Sequence, residues 1–223
     1  MATDNDSFKT ELRNTKVLQG PFPETTFDRF PETPHDAFVS WFHEAVAAGV
    51  KEPHAMTLST VDEEGYPDAR VLILKNVDSR GWHFAVKADS PKGRHIIKNG
   101  HAALTFYWPQ LARQIRLKGK AIALSDEESA HDYQARPLAS RVSAVASKQS
   151  EILVDREELT RRHAETEALM STNPFVGVDK WRVFAVAPQT AEFWQGDSSR
   201  LHQRLQYVLD ENTNSWKKHL LWP

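Results

Sequence analysis

Glu192–Tyr207 reads EFWQGDSSRLHQRLQY, an apolar and aromatic run ending at Trp194, a turn-forming Gly-Asp-Ser-Ser segment, and a second run that alternates strictly. That pattern is a β-hairpin. On an extended returning strand, side chains two apart share a face, so Arg200, His202 and Arg204 are expected on one side and Leu201, Leu205 and Tyr207 on the other. Three adjacent nitrogen-rich side chains repel each other, a cost that makes sense if the face meets an anion such as a phosphate. A solvated strand face with incidental charge accounts for the pattern equally well.

Working outward, the rest of the chain is rich in short strands. AMTLSTV, the turn DEEGYPD and ARVLILKNV form a hairpin, and WHFAVKA continues a meander. HAALTFYW and RQIRLKGKAIAL follow, the second with Gln114, Arg116 and Lys118 on a polar face against Ile115 and Leu117. WRVFAVAPQTAEFW enters the opening hairpin, and SWKKHLLWP is a last edge strand. Helices are inserted between them. Thr33 and Pro34 start one whose Phe38, Trp41, Phe42, Ala45 and Val46 form an apolar stripe. Ser90 caps a short one that Asn99-Gly100 stops. Ser125 and Glu128 form a capping box for DEESAHDYQAR, and a solvated helix spans about Asp155 to Met170. Leu138–Ser150 is of uncertain type. Antiparallel strands without βαβ crossovers predict a mainly β fold with inserted helices, a closed or nearly closed barrel. Residues 1–30, punctuated by Pro21 and Pro23, read as an N-terminal arm lying on something else or disordered, and 31–223 as the folded domain.

With 28 basic and 30 acidic residues in 223, charge is nearly balanced, so nothing supports general nucleic-acid or membrane attraction. There is no cysteine, which excludes disulfides and thiolate chemistry. The N-terminus lacks an apolar h-region, so the simplest expectation is a cytoplasmic protein. HExxH, GxSxG, GxGxxG and P-loop patterns are missing, and no metal is expected. Ser90-Pro91-Lys92-Gly93-Arg94 opens a helix with a hydroxyl, free N–H groups and two cations, a phosphate cradle if it is not simply a capped helix. Arg70 and Lys75 bracket VLIL at an odd separation, which puts them on opposite faces of an unbroken strand.

The order EPHAMTLSTVDEEGYPDARVLILK, SPKGR, FYWPQLARQIRLKGKA, ARPLAS, SKQS, EFWQGDSSRLHQRLQY resembles the pyridoxamine 5'-phosphate oxidase family, FMN enzymes of vitamin B6 metabolism. GPFPE in the arm also resembles the flavin oxidases of phenazine biosynthesis. The resemblance implies an antiparallel FMN-binding split β-barrel, a homodimer joined through the C-terminal hairpin, with FMN at the subunit interface. It implies FMN contacts from Arg70, Val71, Leu72, Lys75, Lys92, Gln114, Gln149, Ser150, Trp194 and Arg204. Lys75, Arg136, Ser140, Arg200 and His202 would hold a phosphorylated pyridine, Arg200 and His202 standing against the reacting end. The implied activity is oxidation of pyridoxamine or pyridoxine 5'-phosphate with oxygen as acceptor. Alternatives are oxidation of another reduced aromatic compound, as in phenazine assembly, and a non-catalytic flavin-binding protein. The chain departs from the family pattern at Pro91, at Ala85-Val86 where a Tyr-Thr pair is usual, at VGVDKW, and at Asp132 where a tyrosine is usual.

Overall fold

The computed structural model describes residues 4–223. Among the described residues nine strands form one antiparallel sheet: β1 (Ala55–Val61), β2 (Pro67–Ile73), β3 (Asn76–Asp78), β4 (Gly81–Lys87), β5 (His101–Trp108), β6 (Arg113–Ala123), β7 (Trp181–Gln195), β8 (Gln203–Asp210) and β9 (Ser215–Leu220). The order is β2-β1-β5-β6-β7-β4-β3, with β8 and β9 added on β7. The two ends of that order are one stretch of chain. Leu74 N–H still bonds the β1 side at His54 O (2.9 Å), and Lys75 N–H already bonds β4 at His83 O (2.8 Å). The chain itself therefore closes the barrel covalently, while β2, β3 and β9 each keep one side without a strand partner among the described residues. The parity argument for Arg70 and Lys75 fails for the same reason: β2 ends at Ile73, so Lys75 is not on that strand.

Alternation fills the interior. Met56 and Leu58 of β1, Leu104, Phe106 and Trp108 of β5, and Ile115 and Leu117 of β6 are buried, and their neighbours in sequence are more exposed. Helix α2 (Pro34–Ala47), started by Thr33 Oγ1 accepting from Asp36 N–H, packs onto this core through Phe38 against Phe106 (ring centroids 4.9 Å) and Trp41 against Phe193 (5.3 Å). Each such ring removed from water contributes about 1.5–3 kcal/mol. Val46 is exposed, so the stripe is narrower than its sequence suggests.

Strand β4 is buried on both faces. Its second face carries a smaller core of Tyr133, Val142, Met170 and Trp181, supplied by α4 (Asp126–Ala135), α5 (Leu138–Ala146), α6 (Arg156–Thr172) and the start of β7. Helix α3 (Pro91–Asn99) starts against the end of β4, where a Cβ on Gly93 would lie 2.4 Å from Lys87 O and 2.6 Å from Ala88 O. Only glycine allows that approach, and it fixes where Lys92 stands.

Among the described residues the arm contains two elements the sequence did not announce, a short 3-10 turn at Phe27–Arg29 and the helix α1 (Asp4–Asn14). The apolar content of α1 is the single i, i+4 pair Phe8 and Leu12, both 58% exposed, too little for a periodic stripe. The first three residues of the arm lie outside the described residues.

Candidate functional site

Between the end of β4, the start of α3, and α5 lies a cavity of about 560 Å³ lined by Lys87, Lys92, Arg136, Ser140, Ser143, Ser147 and Gln149 on its polar side and by Leu72, Ala85, Val86 and Trp181 on its apolar side. No acidic side chain lines it. Lys92 is only 6% exposed, and among the described residues it makes no hydrogen bond or ion pair. Burial, then the charge of Arg70, lower its pKa, with Asp68 opposing. Arg136 lies over the Trp181 ring with its guanidinium carbon 4.1 Å from the ring centre, and its Nη1 is buried without a hydrogen-bond partner. Two cations without acid partners in one cavity are what an anionic ligand would neutralise.

The other cations nearby are committed. Lys87 Nζ donates to Ser147 O at 2.7 Å. Arg70 donates to Thr60 Oγ1 at 2.8 Å and pairs with Asp68; the Thr60 hydroxyl in turn meets His95 Nδ1 at 3.1 Å. The expected phosphate cradle at α3 is smaller than its sequence suggests. Ser90 Oγ donates to Lys87 O (2.7 Å) and accepts from Gly93 N–H (3.3 Å), which uses up the hydroxyl as a cap. Arg94 turns to Asp89 O. Of that motif, Lys92 alone faces the cavity. Val71 is 66% exposed on the face opposite Arg70 and Leu72, and Ser150 occupies a left-handed turn (φ 71°) beside Gln149.

The second group of predicted residues is built on β6, β7 and β8. Gln114 pairs with Trp194, and Trp194 with Arg204, so these share one rung. The strand expected from Arg200 onward begins only at Gln203. Arg200 and His202 therefore belong to the turn, and Leu201, expected in the core, is 72% exposed. Asp197 builds that turn: its carboxylate accepts from Ser199 N–H at 2.7 Å, and its carbonyl accepts from Arg200 N–H at 3.1 Å. Arg200 sits at φ 70°, an uncommon conformation for a side-chain-bearing residue. His202 tilts over Trp194 (ring centroids 4.9 Å), and its Nδ1 accepts from Asp197 N–H at 3.0 Å, which leaves the ring proton on Nε2. Gln114, Trp194, Arg200, His202 and Arg204 are all absent from the walls of the cavity. One chain carries the expected residues as two separate halves.

Sequence reasoning missed Glu192. Its carboxylate, 8% exposed, bonds Arg204 Nε at 2.9 Å and Arg116, so the cationic strip has a counter-charge. Reading it requires the register Arg116↔Glu192 across β6 and β7. Burial pushes the Glu192 pKa up, but the bonds from Arg204 and Arg116 outweigh it and hold the group below the ordinary carboxylate range. Its unfolded form binds the proton more readily, so this bonding stabilises the fold above the unfolded value near 4.3 and is lost as pH falls through the lower folded value. Glu192→Gln should cost about 1–2 kcal/mol at neutral pH and flatten the acid limb of a denaturation profile. An unchanged acid limb would contradict it.

Two family descriptions match the chain: "Pyridoxamine 5'-phosphate oxidase" over residues 42–170 and "Pyridoxine 5'-phosphate oxidase C-terminal dimerisation region" over residues 181–223. A pyridoxine/pyridoxamine 5'-phosphate oxidase of Pseudomonas paraeruginosa is 44% identical over 172 residues, covering 77% of this chain and 79% of the relative. One of Burkholderia thailandensis is 42% identical over 180 residues, covering 80% and 84%. Among solved structures, PhzG from Burkholderia lata in complex with tetrahydrophenazine-1-carboxylic acid superposes with TM-score 0.82 at 32% identity, covering 92% of this chain and all of that one. A pyridoxamine 5'-phosphate oxidase-related, FMN binding protein from Nostoc punctiforme shares the fold, with TM-score 0.70 at 15% identity, over 87% of this chain and 100% of its own.

Proposed function

The chain belongs to the pyridoxamine 5'-phosphate oxidase family, and from that premise we propose that it is an FMN-dependent oxidase that converts pyridoxamine or pyridoxine 5'-phosphate to pyridoxal 5'-phosphate, with oxygen as acceptor and peroxide as by-product. The observation that carries this reading is the cavity in which a buried Lys92 and a half-buried Arg136 make no ion pair among the described residues. FMN, when bound, supplies the two-electron acceptor. Lys92, with Arg70 held by Thr60, would hold its phosphate, and Gln114, Gln149, Ser150, Trp194 and Arg204 would complete the cofactor site. Lys75, Arg136 and Ser140 orient the substrate phosphate. Arg200 and His202 lie against the reacting end, where the His202 Nε2 proton and the Arg200 guanidinium stabilise the ionised ring oxygen of the substrate.

The division of these residues into two halves supports a site finished by a second copy, the hairpin of one protomer meeting the cavity of its partner. The match of residues 181–223 to a dimerisation region supports a homodimer. Among the described residues no helix is long and apolar enough to cross a membrane, in keeping with a proposed cytoplasmic location. A second reading, oxidation of a reduced aromatic carboxylic acid, is favoured by the superposition of 92% of this chain on the whole of PhzG.

Purified protein is expected to be yellow, to release FMN on heating and to generate peroxide with pyridoxamine phosphate. Peroxide only with a dihydrophenazine acid would move the assignment to the second reading. Colourless protein that takes up no added FMN would refute both.

A further inference from the structure

The two cations given above to the substrate's anionic group, Lys75 and Arg136, are not equally available. Lys75 Nζ lies 3.1 Å from Asp132 Oδ1, and the other carboxylate oxygen accepts Trp181 Nε1–H at 2.8 Å. Asp132 is thus held from two sides, by a residue that follows β2 and by one that begins β7. Arg136, one helical turn further on, lies over the same Trp181 ring and keeps a buried, unbonded Nη1. Asp132 also acts on Arg136 through its charge. At contact distance a carboxylate and an ammonium nearly cancel beyond a few ångströms, so Arg136 supplies the net positive charge on this side of the cavity.

We infer that Asp132 is a specificity-determining residue: it holds Lys75 as a neutral pair, so that Arg136 and Ser140 accept a singly charged oxyanion in preference to a phosphate dianion. The inference rests on the site assignment proposed above. The shared ligand chemistry is an oxyanion of single charge, a carboxylate or a phosphate monoester in its monoanionic form, attached to an aromatic ring. With Lys75 neutralised by Asp132, a doubly charged headgroup would find on this side the single positive charge of Arg136.

The test uses the FMN-loaded enzyme. Asp132→Asn keeps an acceptor for Trp181 and releases Lys75. KM for pyridoxamine phosphate and the calorimetric Kd for inorganic phosphate at pH 8 are each expected to fall about tenfold, and the Kd for benzoate only about threefold, from the loss of one nearby negative charge. The change should be carried by KM rather than kcat. Equal changes for phosphate and benzoate, or weaker phosphate binding, would overturn the inference. Should the single variant fail to fold, the paired replacement Lys75→Met with Asp132→Asn leaves no stranded charge. It should bind inorganic phosphate within about twofold of the parent, because a neutral pair has been exchanged for neutral groups. A tenfold or greater loss would mean that Lys75 supplies charge despite Asp132. The calorimetric arms need no turnover, so they read Asp132 even if pyridoxamine phosphate proves not to be a substrate.

Discussion

Lys92→Met is expected to weaken FMN binding by about 30- to 150-fold, the equivalent of the roughly 2–3 kcal/mol that a charge-assisted bond to phosphate contributes in a dry site. Lys92 is the cation of its group that nothing else uses: Lys87 serves Ser147, and Arg70 is shared between Thr60 and Asp68. The same substitution should make the flavin-free protein more stable, by about 1 kcal/mol at neutral pH, because an unpaired buried ammonium is replaced by an apolar chain of similar volume. The sign follows from titration. The folded state lowers the Lys92 pKa, so the unfolded state binds that proton more tightly, and apo stability rises with pH between the lowered value and the ordinary one near 10.4. The variant should lack that rise. Flavin affinity falling while apo stability climbs is a signature that simple structural damage does not give. Equilibrium dialysis and urea denaturation of the apoprotein check both halves, and unaltered flavin retention would remove Lys92 from the phosphate site.

What was legible in the sequence was local. The Thr33 and Ser90 caps, the Ser125–Glu128 capping box and the two-faced alternation of β6 each depend on residues within a few positions of one another, and all are present. Long-range events were not. The parity of Arg70 and Lys75 assumed an unbroken strand, whereas the chain changes hydrogen-bonding partner between Leu74 and Lys75 to close the barrel. The alternation from Arg200 assumed a short turn, but Asp197 organises a longer one that takes Leu201 out of the core. α5 escaped because its small residues give no clear period, and its role as a cavity wall depends on α3 and β4 arriving beside it.

The candidate site divides along the same line. Motif order picked out Lys92, Arg136, Ser140 and Gln149, which line one cavity, and Gln114, Trp194 and Arg204, which share one rung. The ion-pair partners, Glu192 of Arg204 and Asp132 of Lys75, come from other strands or helices and are visible only in three dimensions.

Arg136→Met should lower kcat/KM for pyridoxamine phosphate by about 10²–10³-fold while leaving FMN bound, because a planar guanidinium that donates two bonds to one oxyanion has no substitute on this side of the cavity. Arg136 keeps its charge at neutral pH although burial lowers its pKa, and it is already oriented by the Trp181 ring. Little reorganisation is needed when an anion arrives, which is why the loss should fall on substrate capture rather than on folding. Arg136→Lys is the sharper control. It retains a cation but gives up the flat fork and most of the stacking on Trp181, so an intermediate loss of about tenfold is expected. Were both variants to release FMN together with activity, Arg136 would belong to the cofactor's phosphate instead. If the lysine variant matched the parent, a point charge would suffice and the geometry of the Arg136–Trp181 stack would have no part in recognition.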